Sequence, residues 1–507
     1  MQFAVSEPTS PAAASDTPIP SCLSAIFAEL SQQGISYCYW KSSLRIERAL
    51  SGEGDVDLLV ALSDLHRFEL ILNQEGFKRF PSTANCDHPS ISSYLGFDER
   101  TGRLFHLHVH FKLILGEPLF KNYHIPWEQA LLARTITHPL FRVRTLDPAA
   151  EALLLAVRKS IELSPVDPVN LRNMQSIKQK FALDQEALRQ RVDLAQLRGL
   201  AGGLLSQDMA DLPAQILFDT GVPGQSATAA RRMRSHLALF RSYNGLEARL
   251  RGFWAAIQWA AGGLNKTYLH IPRPWSRRAP GGGRVVAMIG VDGSGKSTAV
   301  STIKSWLKDE VDVMPIYFGT GDGRPSLLLL PLKLLVPLAT SVIGVKPKGS
   351  SHGKVSDKKP GALYSVLLTI WSTVLAFEKR GKLISAHRGA DRGMFVLTDR
   401  YPQDEIAEFN DSPLLVRLSN VPDWLRRFEA RAYALSRRLP PDLVVKLIVR
   451  RETAARREPD MSPALIDKRL NWVTQLKFSG ARIASIDAEQ PLEKVILAIK
   501  REVWRTL

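Results

Sequence analysis

Two kinds of apolar spacing alternate along the chain, and together they predict its elements. From Ser21, Leu23, Ile26, Phe27 and Leu30 recur at three- and four-residue intervals, the spacing of a helix. Short apolar runs predict strands over 37–40, 54–60 and 104–111, with a helix over 62–75. Helical spacing dominates from 147 onward and predicts helices over 148–161, 184–197, 229–243 and 246–261. Asp147 stands where an N-cap belongs. Beyond residue 284 the pattern changes again. Strands of the buried type at 285–289, 313–318, 394–401, 443–449 and 484–488 alternate with helices, the first over 297–307 and the last over 492–503. That alternation predicts an α/β three-layer sandwich built on a parallel five-stranded sheet, preceded by an α+β domain and a helical middle region.

Composition sets the boundaries. Residues 1–20 are rich in Ser, Pro, Ala and Thr and read as a flexible N-terminus. The α+β domain spans 21–146, the helical region 147–271, and a linker with Pro-Arg-Pro and Gly-Gly-Gly 272–283. The α/β domain takes 284–507. A chain of 507 residues, 45% of them hydrophobic, can bury several cores. Its net charge of +17 points to anionic partners. No nucleic-acid motif accompanies the charge, so Arg231, Arg232 and Arg234 read as a solvated helix face. Three widely spaced cysteines exclude a disulfide framework, and no N-terminal signal is visible; both fit a cytoplasmic chain. An insertion at 326–361 is apolar over 327–343 and then basic, with Lys346, Lys348, Lys354, Lys358 and Lys359. It reads as a hydrophobic lid, a homodimer contact, or a peripheral contact with the anionic inner membrane face.

Chemistry enters at Gly290-Val291-Asp292-Gly293-Ser294-Gly295-Lys296-Ser297-Thr298, which fits G-x-x-x-x-G-K-[ST] between a strand and a helix. Glycines there let backbone N–H groups close on phosphate oxygens, and the helix N-terminus adds a positive dipole end. Lys296 would reach the terminal phosphates of ATP, and Ser297 would hold Mg²⁺. Three later features join this loop: Asp399-Arg400-Tyr401 ends a strand, Pro441-Asp442-Leu443 starts the next, and Ile486-Asp487-Ala488 precedes the last helix. As a set, over 284–507, they resemble thymidylate kinase. The resemblance implies that Ser297 and Asp399 share Mg²⁺ and that Arg400, with Tyr401, holds the acceptor's anionic group. It implies that Asp292 meets an acceptor hydroxyl, that Arg380 lies beside the acceptor, and that Arg456 or Arg457 acts as a cis arginine finger. Asp487 and Ala488 would lie beside the adenine. Departures concern the acceptor: Pro402-Gln403-Asp404-Glu405-Ile406 stands where that family has a Ser and an Ala-Tyr-Gln run.

A second constellation lies near the N-terminus. Trp40-Lys41-Ser42-Ser43 precedes Gly54-Asp55-Val56-Asp57, and aspartates two apart on a strand share a face, which suits a shared Mg²⁺. These residues resemble the nucleotidyltransferase fold, with Lys41 in place of the Gly of its Gly-Ser turn. His108 occupies the position of its third carboxylate, between His106 and His110 on one face. The histidines are candidate ligands for a metal or an anion, or members of a satisfied polar face. The leading expectation is an ATP-dependent phosphotransferase acting on a nucleotide or sugar-type acceptor. The alternatives are a bifunctional enzyme with N-terminal nucleotidyl transfer and an NTP-gated regulatory or scaffold protein.

Overall fold

The computed structural model describes residues 20–507 apart from 85–86, 89, 118–119, 164–167, 219–223, 270, 320–361, 408, 410, 416–420 and 460. The expected lead-in, up to residue 19, and the insertion at 326–361 lie outside the described residues. The chain divides into two compact units, one of residues 1–78, 94–98 and 103–244, the other of 79–93, 99–102 and 245–507.

A mixed seven-stranded sheet uses β1 (Tyr37–Tyr39), β2 (Val56–Val60), β3 (Lys78–Arg79), β4 (Ile91–Phe97) and β5 (Leu104–His110). A two-stranded ribbon, β6 (Ile114–Glu117) with β7 (Phe120–His124), follows, and β8 (Thr135–Thr137) and β9 (Arg144–Leu146) complete the larger sheet. Its order is β3-β4-β5-β2-β1-β9-β8, with β1 antiparallel to β2 and β2 parallel to β5. Alternation along the strands divides two cores. Tyr37, Tyr39, Val56, Leu58 and Val60 face the helices Ser21–Gln32 and Leu65–Gln74. Cys38, Trp40 and Leu59 face the other way, into a core shared with Leu153, Val157, Leu197 and Met233 of the following helices. Residues up to 244 cover the second face of the sheet, and the sequence passes from the first unit to the second at 244–245.

Asp147 caps the helix Pro148–Glu162, accepting a hydrogen bond from the Ala150 N–H at 2.8 Å. The single helix expected over 184–197 is two, Pro168–Arg189 and Leu194–Leu204. Asp193 explains the break, because its carboxylate accepts from the Ala195 N–H at 2.9 Å and starts a new helix.

In the second unit β10 (Arg284–Gly290), β11 (Val313–Tyr317), β12 (Phe395–Asp399), β13 (Leu443–Ile448) and β14 (Arg482–Asp487) form one sheet, order β11-β12-β10-β13-β14, with every pair parallel. The central strand β10 is buried from Val285 to Gly290, which is why its sequence is a continuous apolar run. Helices Lys296–Leu307 and Leu492–Thr506 pack together, as do Ala362–Asp391 and Asp423–Arg438. Register places Asp399 beside Met288 and Asp487 beside Ile448, so the strand ends that carry chemistry share one edge.

Candidate active site

The turn after β10 is shaped by its glycines. Gly293 and Gly295 have φ of 76° and 93°, a region that side chains with Cβ rarely enter. A Cβ on Gly290 would sit 2.4 Å from Ser294 Oγ. Lys296 opens the following helix, and its ammonium donates to the Val291 carbonyl at 2.7 Å. Burial, with Arg400 nearby, pushes the Lys296 pKa down to about 8. Ser297 Oγ donates to Asp399 Oδ2 at 2.7 Å, while the other Asp399 oxygen is buried and accepts no hydrogen bond among the described residues. A hydroxyl beside a buried carboxylate oxygen with unused lone pairs is a donor set that fits Mg²⁺.

Asp292 lies on the other side of the loop and binds two arginines. Arg400 and Arg469 each donate to a separate carboxylate oxygen, both at 2.6 Å. Burial works to raise the Asp292 pKa, but Arg400, Lys296 and Arg469 outweigh it and hold the group ionised below the usual carboxylate range. Arg400 adopts φ of 68°, a strained conformation for a residue with a side chain. Its amide still donates to the Met288 carbonyl at 3.0 Å. Asp411 lies 3.8 Å from Arg400 and accepts from Lys379 Nζ at 2.7 Å. A cleft between these groups is lined by Gly290, Arg400, Tyr401, Phe409, Asp411 and Phe478.

Not every candidate converges there. Arg380 is exposed, whereas its neighbour Lys379 is buried and reaches Asp411. Tyr401 lines the cleft with its ring, but its hydroxyl donates to the Leu439 carbonyl at 2.5 Å and lies 2.9 Å from His387 Nε2. Arg457, the last residue of a short helix, donates to the Gly293 carbonyl at 2.8 Å; both it and Arg456 are exposed. Thr298 is exposed on the first helical turn. Asp487 accepts from the Glu489 N–H at 3.0 Å, and the Ala488 N–H donates to Ile448 at 2.8 Å. The run after Tyr401 is structural: Gln403 brackets Ile406 through both amide atoms, and Glu405 accepts from the Lys477 and Phe478 N–H groups. Arg469, Asp411 and Lys379 were not singled out from the sequence. Each stands outside any motif, and only folding brings them to Asp292 and Arg400.

The aspartates of the first unit are each held by the chain. Asp55, just ahead of β2, lies 2.7 Å from His106 Nδ1, and Asp57, on β2, lies 2.9 Å from His108 Nδ1. Lys41 completes an ion pair with Asp57 at 2.6 Å. Burial works to raise the Asp57 pKa, yet Lys41 and then His108 drive it far below the carboxylate range. Ser43 donates to Glu151 through both N–H and Oγ, and Ser42 to Asp184, so neither hydroxyl is idle. Asp57, His108 and His110 could offer three ligand atoms to a metal, and neither ring nitrogen of His110 has a hydrogen-bond partner among the described residues. Against that stands the Lys41 ammonium, a cation already on the carboxylate that a metal would need.

No family model matches the chain. It is similar to two proteins of Escherichia coli strain K12. The uncharacterized ATP-binding protein YghS is 28% identical over 230 residues, which cover 44% of this chain and 94% of that protein. The uncharacterized ATP-binding protein YghR is 25% identical over 231 residues, 43% of this chain and 86% of that protein.

Proposed function

We propose that the second unit binds ATP and transfers its γ-phosphate to an anionic acceptor, as a phosphotransferase of the thymidylate-kinase kind. The ATP-binding names of the two relatives support the donor. The observation that carries the transfer is the arrangement around Asp292, where a P-loop carboxylate holds two guanidiniums beside the Ser297–Asp399 pair. Phosphoryl transfer needs positioned positive charge rather than covalent chemistry. Ser297 and Asp399 would hold Mg²⁺, which supplies charge neutralisation between the β- and γ-phosphates. Lys296 leaves the Val291 carbonyl to meet the γ-phosphate oxygens. An acceptor oxygen attacks the γ-phosphorus, the bond from phosphorus to the β–γ bridging oxygen breaks, and ADP leaves. Arg400 and Arg469, already paired with Asp292, favour an acceptor that carries phosphate or carboxylate over a neutral sugar. Arg457, fixed on the Gly293 carbonyl, is better placed than Arg456 to meet developing charge.

The test is incubation with γ-labelled ATP, Mg²⁺ and a panel of nucleoside monophosphates, sugar phosphates and lipid-linked saccharides. Label should reach a phosphorylated acceptor and be lost in Lys296→Ala. Release of inorganic phosphate alone would favour an NTP-gated regulatory protein.

For the first unit we propose a binding role rather than nucleotidyl transfer, because Lys41 neutralises Asp57. Transfer of α-label to any acceptor, abolished by Asp55→Ala with Asp57→Ala, would overturn this reading.

A further inference from the structure

The helix Gly245–Leu264 is built the wrong way round for a soluble surface. Its small residues Ala248, Gly252 and Gly262 are buried. A Cβ on Gly262 would meet the Trp275 side chain at 3.2 Å. Six of its seven large exposed apolar residues face outward instead, Leu246, Leu250, Phe253, Trp254, Ile257 and Leu264, with Phe253 exposed by 63% and Trp254 by 60%; the seventh, Trp259, lies on the side of the small residues. At 3.6 residues per turn these six fall within an arc of roughly 100°, so they form one continuous stripe. Buried Asn265 fixes the end of the helix, exchanging hydrogen bonds with the backbone of Ile271 at 2.8 and 3.1 Å. A stripe of this size on a fixed helix marks an interaction surface.

Charge identifies the occupant. Between residues 245 and 278 there are six basic side chains and one acidic one, Glu247. Arg249 on the helix and Arg273 and Arg278 after it are exposed. A second copy would bring two such basic segments together, in a chain of net charge +17. An anionic bilayer offers an apolar boundary for the stripe and negative headgroups for the arginines, and tryptophan favours that boundary. Among the described residues no helix is long and apolar enough to cross a membrane, which fits a helix lying in the interface plane. We infer that Gly245–Leu264 docks the protein on an anionic lipid surface. This helix is a different stretch of sequence from the insertion at 326–361, where the sequence alone suggested lipid contact.

The experiment is flotation of the full chain with vesicles of three parts phosphatidylcholine to one part phosphatidylglycerol, and with phosphatidylcholine alone. The parent should float with the anionic vesicles and several-fold less with the neutral ones. Phe253→Ser with Trp254→Ser should partition at least about tenfold more weakly. Both side chains are exposed, so an unchanged melting curve will show that the variant is folded. Three results would overturn the inference. One is equal flotation of parent and variant. Another is loss on deleting 326–361 with no loss in the stripe variant. The third is a concentration-dependent dimer, in a parent that does not float, that the double substitution abolishes.

Discussion

Replacing Asp292 by asparagine tests the charge arrangement beside the P-loop. The carboxylate is buried and accepts from Arg400 and Arg469 at 2.6 Å each, so removing its charge leaves two guanidiniums and Lys296 without their shared counterion. Breaking a buried pair by removing one partner costs about 3–5 kcal/mol. Two features reduce this: Arg400 keeps Asp411 at 3.8 Å, and its side chain is 20% exposed. The amide also keeps one acceptor oxygen. An expected loss of about 2–3 kcal/mol follows, or a melting shift of roughly 5–10 °C at about 2–4 °C per kcal/mol. With two units the chain need not melt in one step, so the transition to follow by calorimetry is the one that ATP raises. The pH dependence has a definite sign. Asp292 has a folded pKa held below its ordinary value, so its contribution is present above that ordinary value, about 3.9, and is lost as pH falls through the lower folded one. Asp292→Asn should therefore differ from the parent at neutral pH and converge on it in acid. A transition within about 1 °C of the parent at pH 7 would refute the counterion role, since that shift corresponds to no more than about 0.5 kcal/mol, well short of the expected loss.

Other consequences can be measured separately. Because burial, with Arg400 nearby, lowers the Lys296 pKa to about 8, phosphates that favour the ammonium should draw in a proton at pH 8–9. Calorimetry in buffers of different ionisation enthalpy should show that uptake, and it should vanish in Lys296→Met. Lys379→Met strands buried Asp411 and should destabilise by roughly 3 kcal/mol, while Arg380→Met, on the exposed side, should stay within about 0.5 kcal/mol by denaturant titration. Lys41→Ala should expose Asp57 to divalent cations, and a Zn²⁺ titration should show binding tighter than the parent's by about tenfold or more; equal affinity would mean that Lys41 does not guard the carboxylate.

The alternating strands of the second unit were legible because each apolar run is bounded, with β10, β12 and β13 buried nearly throughout although β14 is mostly exposed, and the P-loop carries its own spacing. Ser297 and Asp399 were legible as a pair because Ser297 closes the P-loop motif after β10 and Asp399 opens Asp399-Arg400-Tyr401 at the end of the neighbouring strand β12. Arg469 was not: it lies on the helix Pro463–Gln475, 177 residues from Asp292, and no short-range pattern links them. Arg380 and Lys379 show a second limit. A helix turns by about 100° per residue, so adjacent positions point apart, and sequence does not say that Lys379 is the buried one of the two. The break at Asp193 was hidden because an N-cap aspartate inside helical spacing resembles an ordinary polar-face residue until its carboxylate is seen on the Ala195 N–H.

Asp57 and Asp399 are both buried aspartates on strands beside a hydroxyl-bearing turn, so sequence gives both the look of metal ligands. What separates them is which cation the chain itself supplies. Asp57 already has the Lys41 ammonium at 2.6 Å and His108 at 2.9 Å, and its pKa has moved far down as a consequence. Adding a divalent ion there means expelling a lysine from its counterion and placing the new charge against it. Asp399 has one oxygen on the Ser297 hydroxyl and the other with no partner, and no ammonium or guanidinium within ion-pair distance among the described residues. A buried carboxylate oxygen without a donor costs on the order of 1–3 kcal/mol. A bound cation would remove that cost at Asp399 and would gain nothing comparable at Asp57. On the function proposed above, the balance of charge favours Mg²⁺ at Asp399 over Asp57, whose carboxylate a lysine already holds.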